Sequence, residues 1–261
     1  MEIPLGEVLE TVQRWIAALV AASPVGEGLR LVGGFRYRLL DGSSRASLDI
    51  DYHWDGDLEQ KRDEVLALLR KKLLPEVRRR LAYDGSVEPL VGPDAESPTV
   101  KTVALAIHKL DVPGSRIELP VGVTRVACLD APLVRTMRGT VYLTASDADM
   151  AESKVLALLE RTFVQDRDLL DLYLFRDTLP PDARARLKKK LSMLAVSSNK
   201  VTKRLLSLRE DKAVRARGVD RIIRDQVDRP AAANLKAAGG GKVICQSVLE
   251  VLDNLLGKAR R

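Results

Sequence analysis

Two aspartates separated by a single residue, Asp49 and Asp51, offer the clearest chemistry in the sequence. They lie in the stretch 47–54, where apolar and polar residues alternate strictly and predict a β-strand with one face in the core. Residues i and i+2 of a strand point to the same side about 6.6 Å apart, so both carboxylates can converge on a hard divalent cation. An exposed edge strand bearing acidic residues would give the same pattern, and both interpretations stay open.

A double glycine, Gly33 and Gly34, precedes this strand. It follows a short apolar run at 29–32, and a short helix is predicted directly after it at 35–40. Backbone N–H groups at such a strand-to-helix turn can approach phosphate oxygens, because glycine has no side chain to obstruct them. Gly-Gly is also common in ordinary turns, but the 14 residues between it and Asp49 place a phosphate cradle and a carboxylate pair on neighbouring segments.

Three polar side chains extend this candidate site. Arg45 and Ser47 lie in the approach to the predicted strand, where both can contact the same polyphosphate. Glu118 lies in a second alternating stretch, 116–119, and is a candidate third carboxylate. A surface glutamate beside Arg116 is the alternative for this position.

Charged residues also recur on helices predicted in the second half of the chain. Lys154, Arg161 and Asp168 are seven residues apart, a spacing that drifts only slowly around a continuous helix. A break near 162–165 would instead produce two helices that meet. Both arrangements place cationic and acidic groups beside an apolar stripe, and a salt-bridged helix pair is the purely structural interpretation.

The composition is that of a folded protein large enough for two modest domains or one large one. The chain has 261 residues, 46% of them apolar and 30% charged, with two cysteines, so disorder, a collagen repeat and a disulfide scaffold do not fit. No window approaches 18 uncharged apolar residues, and an acidic stretch precedes the apolar segment 15–22 where a signal peptide would be basic. We therefore expect a cytoplasmic protein without a membrane span.

Hydrophobic periodicity divides the chain at about residue 145. Residues 1–145 alternate between helical and strand patterns and predict an α/β (α+β) domain with a mixed sheet, whose predicted strands include 126–129. Residues 146–261 carry a helical period throughout and predict an all-α domain. The stretch 231–241 (AAANLKAAGGG) is interpreted as a flexible connection.

The net charge of +7 is unevenly distributed. Residues 181–261 contain 20 Lys and Arg against 8 Asp and Glu, or +12, which leaves 23 against 28, or −5, for residues 1–180. The basic residues recur along consecutive predicted helices, as in 183–190 (ARARLKKK), so one side of this region can follow a phosphate backbone. Ordinary solvated helix faces would look similar, and the scarcity of aromatic residues there gives no support to base stacking.

Taken together, these strings resemble the nucleotidyltransferase toxins of the AbiEii/AbiGii class. The resemblance spans roughly residues 30–175 in the family's order, through Leu31-Val-Gly-Gly34, Arg45-Ala-Ser-Leu-Asp-Ile-Asp51, Arg116-Ile-Glu118 and Lys154 through Arg161 to Arg167-Asp168-Leu-Leu-Asp171. Such toxins belong to the DNA polymerase beta-like nucleotidyltransferase superfamily. The resemblance thus implies a nucleotidyltransferase-like catalytic domain over 1–145 and a basic helical domain over 146–261 that completes the active-site cleft.

The resemblance also implies a role for each candidate residue in metal-assisted nucleotidyl transfer. Mg²⁺, or else Mn²⁺, would be held by Asp49, Asp51 and Glu118. The triphosphate of an NTP would be seated by Gly33, Gly34, Arg45 and Ser47. Phosphate would also be bound by Lys154 and Arg161. Asp168 would orient Lys154 or the nucleotide.

The implied acceptor is RNA, in particular tRNA, and a cognate antitoxin of a type IV toxin-antitoxin system is an implied partner. Two alternatives stay open at this point. One is a nucleotidyltransferase that modifies a hydroxyl of a protein or a small molecule. The other is a catalytically inactive protein that binds nucleic acid or a partner.

Overall fold

The structure is a computed structural model that describes residues 4–91, 97–110, 112 and 114–257. These residues fold into two compact units. In the described part of the chain, no helix is long and apolar enough to cross a membrane.

The first unit combines helices with a seven-stranded mixed sheet and contains the chain up to Val126 together with Pro132–Ala145. Its helices are α1 (Leu5–Ala21), α2 (Gly33–Leu40), α3 (Leu58–Leu68) and α4 (Leu74–Leu81). Its strands are β1 (Arg30–Val32), β2 (Ile50–His53), β3 (Tyr83–Pro89), β4 (Val100–Lys109), β5 (Ile117–Thr124), β6 (Leu133–Met137) and β7 (Thr140–Thr144). The strand order is β3-β4-β5-β2-β1-β7-β6, and the predicted mixed sheet is confirmed.

The sheet register places β2 at the centre of the sheet. Asp51 lies opposite Val32 in the antiparallel pairing with β1, and opposite Gly122 in the parallel pairing with β5. Ile50 and Tyr52 point into the hydrophobic core and are almost fully buried. Because side chains alternate along a strand, Asp51 points to the opposite face of the sheet.

β2 is shorter than the strand predicted at 47–54. Leu48, expected in the core, is 46% exposed, and Asp49 immediately precedes the first strand residue. Side-chain hydrogen bonds hold this approach in place of strand pairing: Gln13 Nε2 donates to the Ser47 carbonyl at 2.9 Å, and Ser47 Oγ donates to Asp49 Oδ1 at 2.8 Å. These bonds occupy the Ser47 carbonyl and the Asp49 side chain ahead of Ile50, where the strand begins.

The strand prediction for 126–129 is wrong. Ala127–Ala131 belong to the second unit. There the backbone N–H groups of Leu129 and Asp130 donate to the Asp149 carboxylate at 2.9 and 3.0 Å, in place of the carbonyls of a neighbouring strand. The hairpin of β6 and β7, which follows this segment, was not predicted from the sequence pattern.

In the described residues, the second unit has helices as its regular secondary structure, as predicted. It contains the non-helical segment Ala127–Ala131 and the chain from Ser146 onward. Its helices are α5 (Asp147–Glu160), α6 (Asp166–Phe175), α7 (Ala183–Met193), α8 (Ser198–Glu210), α9 (Lys212–Gln226), α10 (Arg229–Ala237) and α11 (Gly240–Leu256). Apolar residues from α5 to α11 form a separate hydrophobic core. Each of the two units thus has its own hydrophobic core.

The stretch 231–241 is helical in most of its length, not the flexible connection that its composition indicated. Gly241 is buried in the first turn of α11, where a Cβ would collide with the backbone carbonyl of Ala216 on α9. This glycine permits close packing of the two helices, and the Ala-rich segment before it is an ordinary helix former.

A buried ionic network joins α5 to α7. The Lys190 Nζ lies 2.6 Å from Asp149 Oδ1 and 2.6 Å from Glu152 Oε2, and all three side chains are fully buried. Arg186, one turn earlier on α7, pairs with both carboxylates and with Asp130. The hydrogen bond from Arg186 holds the pKa of the Asp130 carboxyl below its ordinary value.

This network corrects the interpretation of 183–190 as a surface that follows phosphates. Arg186 and Lys190 are committed to internal carboxylates, because a buried cation needs a paired anion to offset its desolvation. The exposed cations of this helix are Arg184, Lys188 and Lys189.

Replacing the buried lysine tests how much the second unit depends on the network. We expect Lys190→Ala to lower the free energy of unfolding by about 3 to 5 kcal/mol, because two buried carboxylates lose a neutralising partner. Urea denaturation followed by circular dichroism measures this change. The exposed neighbour serves as control, and Lys189→Ala should shift the free energy by less than about 0.5 kcal/mol. Equal stability of the two variants would contradict the structural role of the network.

Candidate functional site

The carboxylate of Asp51 lies in a space bounded by two glycines. A Cβ added at Gly33 would lie 2.5 Å from Asp51 Oδ2, and one added at Gly122 would lie 2.7 Å from Asp51 Oδ1. Gly33 also has a φ of 77°, which L side chains rarely adopt. The Asp51 carboxylate is therefore approached by bare backbone from two sides, at Gly33 in the turn from β1 into α2 and at Gly122 on β5.

The carboxylate of Asp49 is oriented by the segment that leads into β2. Ser47 Oγ donates to Asp49 Oδ1 at 2.8 Å, and Ser47 itself is 2% exposed. A Cβ at Gly34 would lie 2.7 Å from Ser47 Oγ and would also collide with the guanidinium of Arg45. The second glycine thus leaves room for two buried polar side chains.

The structure therefore brings six predicted residues together within the first unit: Gly33, Gly34, Arg45, Ser47, Asp49 and Asp51. Ser47 and Arg45 are both buried, so they support the glycine turn and the Asp49 carboxylate from inside the protein. Sequence reasoning missed Gly122 and Gln13, whose positions depend on pairing with distant segments. The roles of the six predicted residues in binding metal and nucleotide stay predictions.

A buried arginine fixes the helix that follows the glycines. Arg36 is 1% exposed, and its Nε donates to Thr144 Oγ1 at 3.1 Å, while its guanidinium pairs with Asp41. Thr144 Oγ1 in turn donates to the Leu31 carbonyl on β1 at 2.8 Å. This chain of bonds ties α2 to β7 and β1, so the start of α2 is held rigidly beside Asp51. The sequence contained no signal for this role.

Two carboxylates suit a magnesium ion that is shared with a substrate. Mg²⁺ usually keeps several waters and binds one or two carboxylates together with phosphate oxygens of the substrate. Asp49 and Asp51 provide such a donor pair, and the Asp51 carboxylate lies directly against the side-chain-free turn into α2. No group of three His, Cys, Asp or Glu side chains that could hold a metal is found among the described residues.

The structure does not bring Glu118 to this pair. Sheet register puts Gly122 beside Asp51, and Glu118 lies four residues away along β5, about 13 Å at the usual rise per residue. Glu118 is 70% exposed in its side chain and pairs with Arg116 at 2.9 Å. The alternative of a surface glutamate beside Arg116 describes this position, and the assignment of Glu118 as a third carboxylate is corrected.

His53 ends β2, two residues after Asp51. It is buried, its Nδ1 accepts a hydrogen bond from the Val126 N–H at 3.0 Å, and burial lowers its pKa. A histidine with a lowered pKa stays neutral at neutral pH. The aspartate pair therefore gains no compensating positive charge from this imidazole.

A second candidate cluster lies within the second unit, where α5 and α6 meet. Lys154 Nζ is 3.3 Å from Asp168 Oδ1 and 2.8 Å from Asp171 Oδ2, and Arg161 Nη1 donates to Asp168 Oδ2 at 2.8 Å. Both aspartates are 1% exposed, whereas the side chain of Arg161 is 43% exposed. The helix is interrupted between Glu160 and Asp166, so α5 and α6 are separate helices that meet and bring the predicted residues together.

This cluster is electrically balanced, with two cations against two carboxylates. Asp171 is part of the motif that resembles the family but was given no role in the predicted site. It is the nearer of the two carboxylate partners of Lys154. A buried ammonium between two carboxylates is fixed in position. The arrangement agrees with a structural role and also presents a positioned cation.

The chain is similar to known proteins in sequence family and in fold. A family model described as the nucleotidyl transferase AbiEii toxin of type IV toxin-antitoxin systems matches residues 16–239. JHP933 from Helicobacter pylori has a similar structure, with a TM-score of 0.54, 17% identity, and coverage of 97% of this chain and 96% of that one. MenT4, a nucleotidyltransferase toxin from Mycobacterium tuberculosis, has a TM-score of 0.52 and 15% identity, with coverage of 98% and 94%. These two likenesses concern the fold. No curated protein sequence matches the chain.

The glycine on β5 offers a test of the cation site. We expect Gly122→Ala to weaken binding of Mn²⁺, a probe for Mg²⁺, by about 10- to 100-fold, because the new methyl group displaces the Asp51 carboxylate. Titration followed by electron paramagnetic resonance measures the affinity. Gly6→Ala is the matched control, since nothing lies within 4 Å of a Cβ at that position. Unchanged Mn²⁺ affinity in folded Gly122→Ala protein would rule out Asp51 as a ligand.

Proposed function

This chain belongs to the AbiEii family of nucleotidyl transferase toxins of type IV toxin-antitoxin systems, and from that premise we propose that it transfers an NMP from an NTP to RNA, with tRNA as the expected acceptor. The proposed reaction depends on Mg²⁺. The family is one of enzymes that act on nucleotides, so the proposal concerns the metal, the acceptor and the residues that perform the transfer.

The observation that carries the proposal is the pairing of Asp49 and Asp51 with a side-chain-free turn. Gly33 and Gly34 open α2, and the residue at the N-cap position of this helix, Val32, makes no side-chain capping bond. The first N–H groups of a helix have no acceptor within the helix and form a binding site for anions such as phosphate. A triphosphate placed at this turn therefore meets both N–H donors and the neighbouring carboxylates.

The transfer itself is a substitution at the α-phosphorus of the NTP. A bond forms between the acceptor hydroxyl oxygen and the α-phosphorus as the hydroxyl proton passes to solvent, the bond to the bridging oxygen of the β-phosphate breaks, and pyrophosphate leaves. Magnesium held by Asp49 and Asp51 would supply positive charge that activates the hydroxyl and neutralises the leaving pyrophosphate. Ser47 holds the Asp49 carboxylate in its orientation through the bond to Oδ1.

The cluster on α5 and α6 has a proposed role in binding phosphate. Lys154 would contact a phosphate oxygen, and the carboxylates of Asp168 and Asp171 hold its ammonium in position. Arg161, with its half-exposed side chain, would add positive charge, and its ion pair with Asp168 keeps it oriented. Fixed charges of this kind stabilise charge that develops in a transition state without a cost of reorganisation.

RNA is the proposed acceptor because the second unit carries the positive charge of the chain. Residues 183–209 contain nine Lys and Arg and no Asp or Glu. After Arg186 and Lys190 are assigned to the buried network, exposed lysines are still present on α7 and α8. A cytoplasmic location, where NTPs and tRNA are available, and a cognate antitoxin as partner belong to the same proposal.

Radiolabel transfer tests this function. Purified protein is incubated with total tRNA, Mg²⁺ and each α-labelled NTP in turn, and we expect one or more nucleotides to label RNA on a denaturing gel. Asp51→Asn should reduce the label by about 100-fold or more, because it removes a metal-binding charge with little change in shape. Asp63→Asn, which changes an exposed aspartate beside Arg62 on α3, is the control and should label as wild type.

Three outcomes would contradict the proposal in different ways. Label on protein or on a small molecule, with none on RNA, would assign another acceptor. Equal labelling by wild type and Asp51→Asn would remove Asp51 from the chemistry. Absence of both label and Mg²⁺-dependent NTP binding would favour a catalytically inactive binding protein.

A further inference from the structure

The turn between α5 and α6 presents an aromatic side chain to solvent. Phe163 is 78% exposed, whereas Phe35 is fully buried and Phe175 is half-buried. A single exposed apolar residue is unremarkable in a folded protein. The surroundings of Phe163 are what distinguish it.

The backbone on both sides of Phe163 is held by arginines from other helices. The Arg204 guanidinium on α8 donates to the carbonyls of Arg161 and Thr162, the latter at 3.2 Å. Arg215 on α9 donates to the Val164 carbonyl at 3.3 Å and to Asp166 at 3.1 Å. The residues before and after Phe163 are therefore fixed, and the ring projects from a rigid turn.

A basic groove lies on α8, next to this turn. It has a volume of about 460 Å³ and is lined by Ser197, Asn199, Lys200, Lys203, Arg204 and Ser207. Lys200 and Lys203 are exposed, and neither has an ion-pair partner among the residues that the structure describes. The nearest acidic residues in the sequence are Asp182 and Glu210, at opposite ends of the 183–209 stretch.

Arg204 belongs to both features, since it lines the groove and also binds the turn that carries Phe163. Arg204 thus connects the turn that carries Phe163 to the groove that contains the two lysines, within the second unit. An aromatic face beside unpaired cations is the combination that binds single-stranded nucleic acid, in which bases stack on the ring and phosphates contact the cations.

We propose that Phe163, Lys200 and Lys203 form a binding site for a single-stranded segment of RNA. One unpaired base stacks on Phe163, and the adjoining phosphates occupy the α8 groove. This site rests on the proposed function, because it would hold the RNA that receives the nucleotide. It selects unpaired RNA, since a base within a duplex has no free face to offer.

Fluorescence anisotropy with labelled RNA tests the site without relying on catalysis. The probes are a 12-nucleotide single strand and the same strand annealed to its complement, each titrated with the full chain at several salt concentrations. We expect Phe163→Ala to weaken binding of the single strand by about 5- to 100-fold and to leave the salt slope unchanged. Phe163→Trp should retain the affinity, because tryptophan also offers a ring for stacking.

The lysines should affect a different quantity. We expect the double variant Lys200→Ala/Lys203→Ala to weaken binding and to reduce the slope of log affinity against log salt by about 1.4, since each lost phosphate contact on a single strand contributes about 0.7. Lys236→Ala on α10 is the control for an exposed lysine, and Val141→Ala on β7 is the control for an exposed apolar residue. Both should bind as wild type.

Several results would overturn the site. One is single-strand affinity in Phe163→Ala equal to that of wild type, and another is an equal loss for the single strand and the duplex. Loss of binding to a cognate antitoxin, with RNA binding intact, would identify the surface as a protein interface. Urea midpoints equal to wild type would show that none of these changes comes from unfolding.

Label transfer separates this inference from the proposed function. If wild type labels tRNA while the Phe163 and lysine variants bind single-stranded RNA normally, the site is wrong and the function stands. If the variants lose RNA binding as expected while wild type labels no RNA, the site stands and the proposed acceptor is wrong.

Discussion

The space around the Asp51 carboxylate is the constraint on which the first unit depends. Gly33 and Gly122 come from segments far apart in sequence, yet a Cβ at either position would collide with this side chain. Both segments reach it through sheet register, since Val32 and Gly122 pair with Asp51 on opposite sides. A register shift of one residue would put Val121 or Val123 in place of the glycine. The buried face of β2 prevents such a shift, because it would turn core residues to the wrong side.

In the second unit, the corresponding constraint is charge neutralisation around α5. A buried ammonium is costly without carboxylate partners, and Lys154 and Lys190 each lie between two of them. At 3.6 residues per turn, Lys154 projects from the side of α5 roughly opposite to Asp149 and Glu152. One side of α5 is therefore bound to α7 and the other to α6. The position of the Lys154 ammonium depends on both attachments, which links a candidate phosphate-binding group to the core of its unit.

The sequence predicted those features that depend on local pattern. Alternation near Asp51 identified the central strand, and the spacing of the glycines identified the turn beside it, because burial leaves a periodic trace in neighbouring residues. The position of Glu118 could not be predicted, since it depends on the register of β5 against β2. The burial of Lys190 depends on carboxylates 38 and 41 residues away. The space beside Gly241 is likewise filled by a distant helix.

Many basic residues of the second unit have partners within the protein, so its net charge overstates the number of cations that can bind phosphate. Several arginines and lysines that contribute to the +12 of residues 181–261 serve internal contacts: Arg186, Lys190, Arg204, Arg209 and Arg215. The salt dependence of nucleic-acid binding follows the number of phosphates that are neutralised, not the net charge. Cations that are paired within the protein contribute less to phosphate binding than the net charge indicates, but they position what lies at the surface. Arg204 and Arg215 are examples, because their hydrogen bonds to backbone carbonyls hold the turn around Phe163 in place.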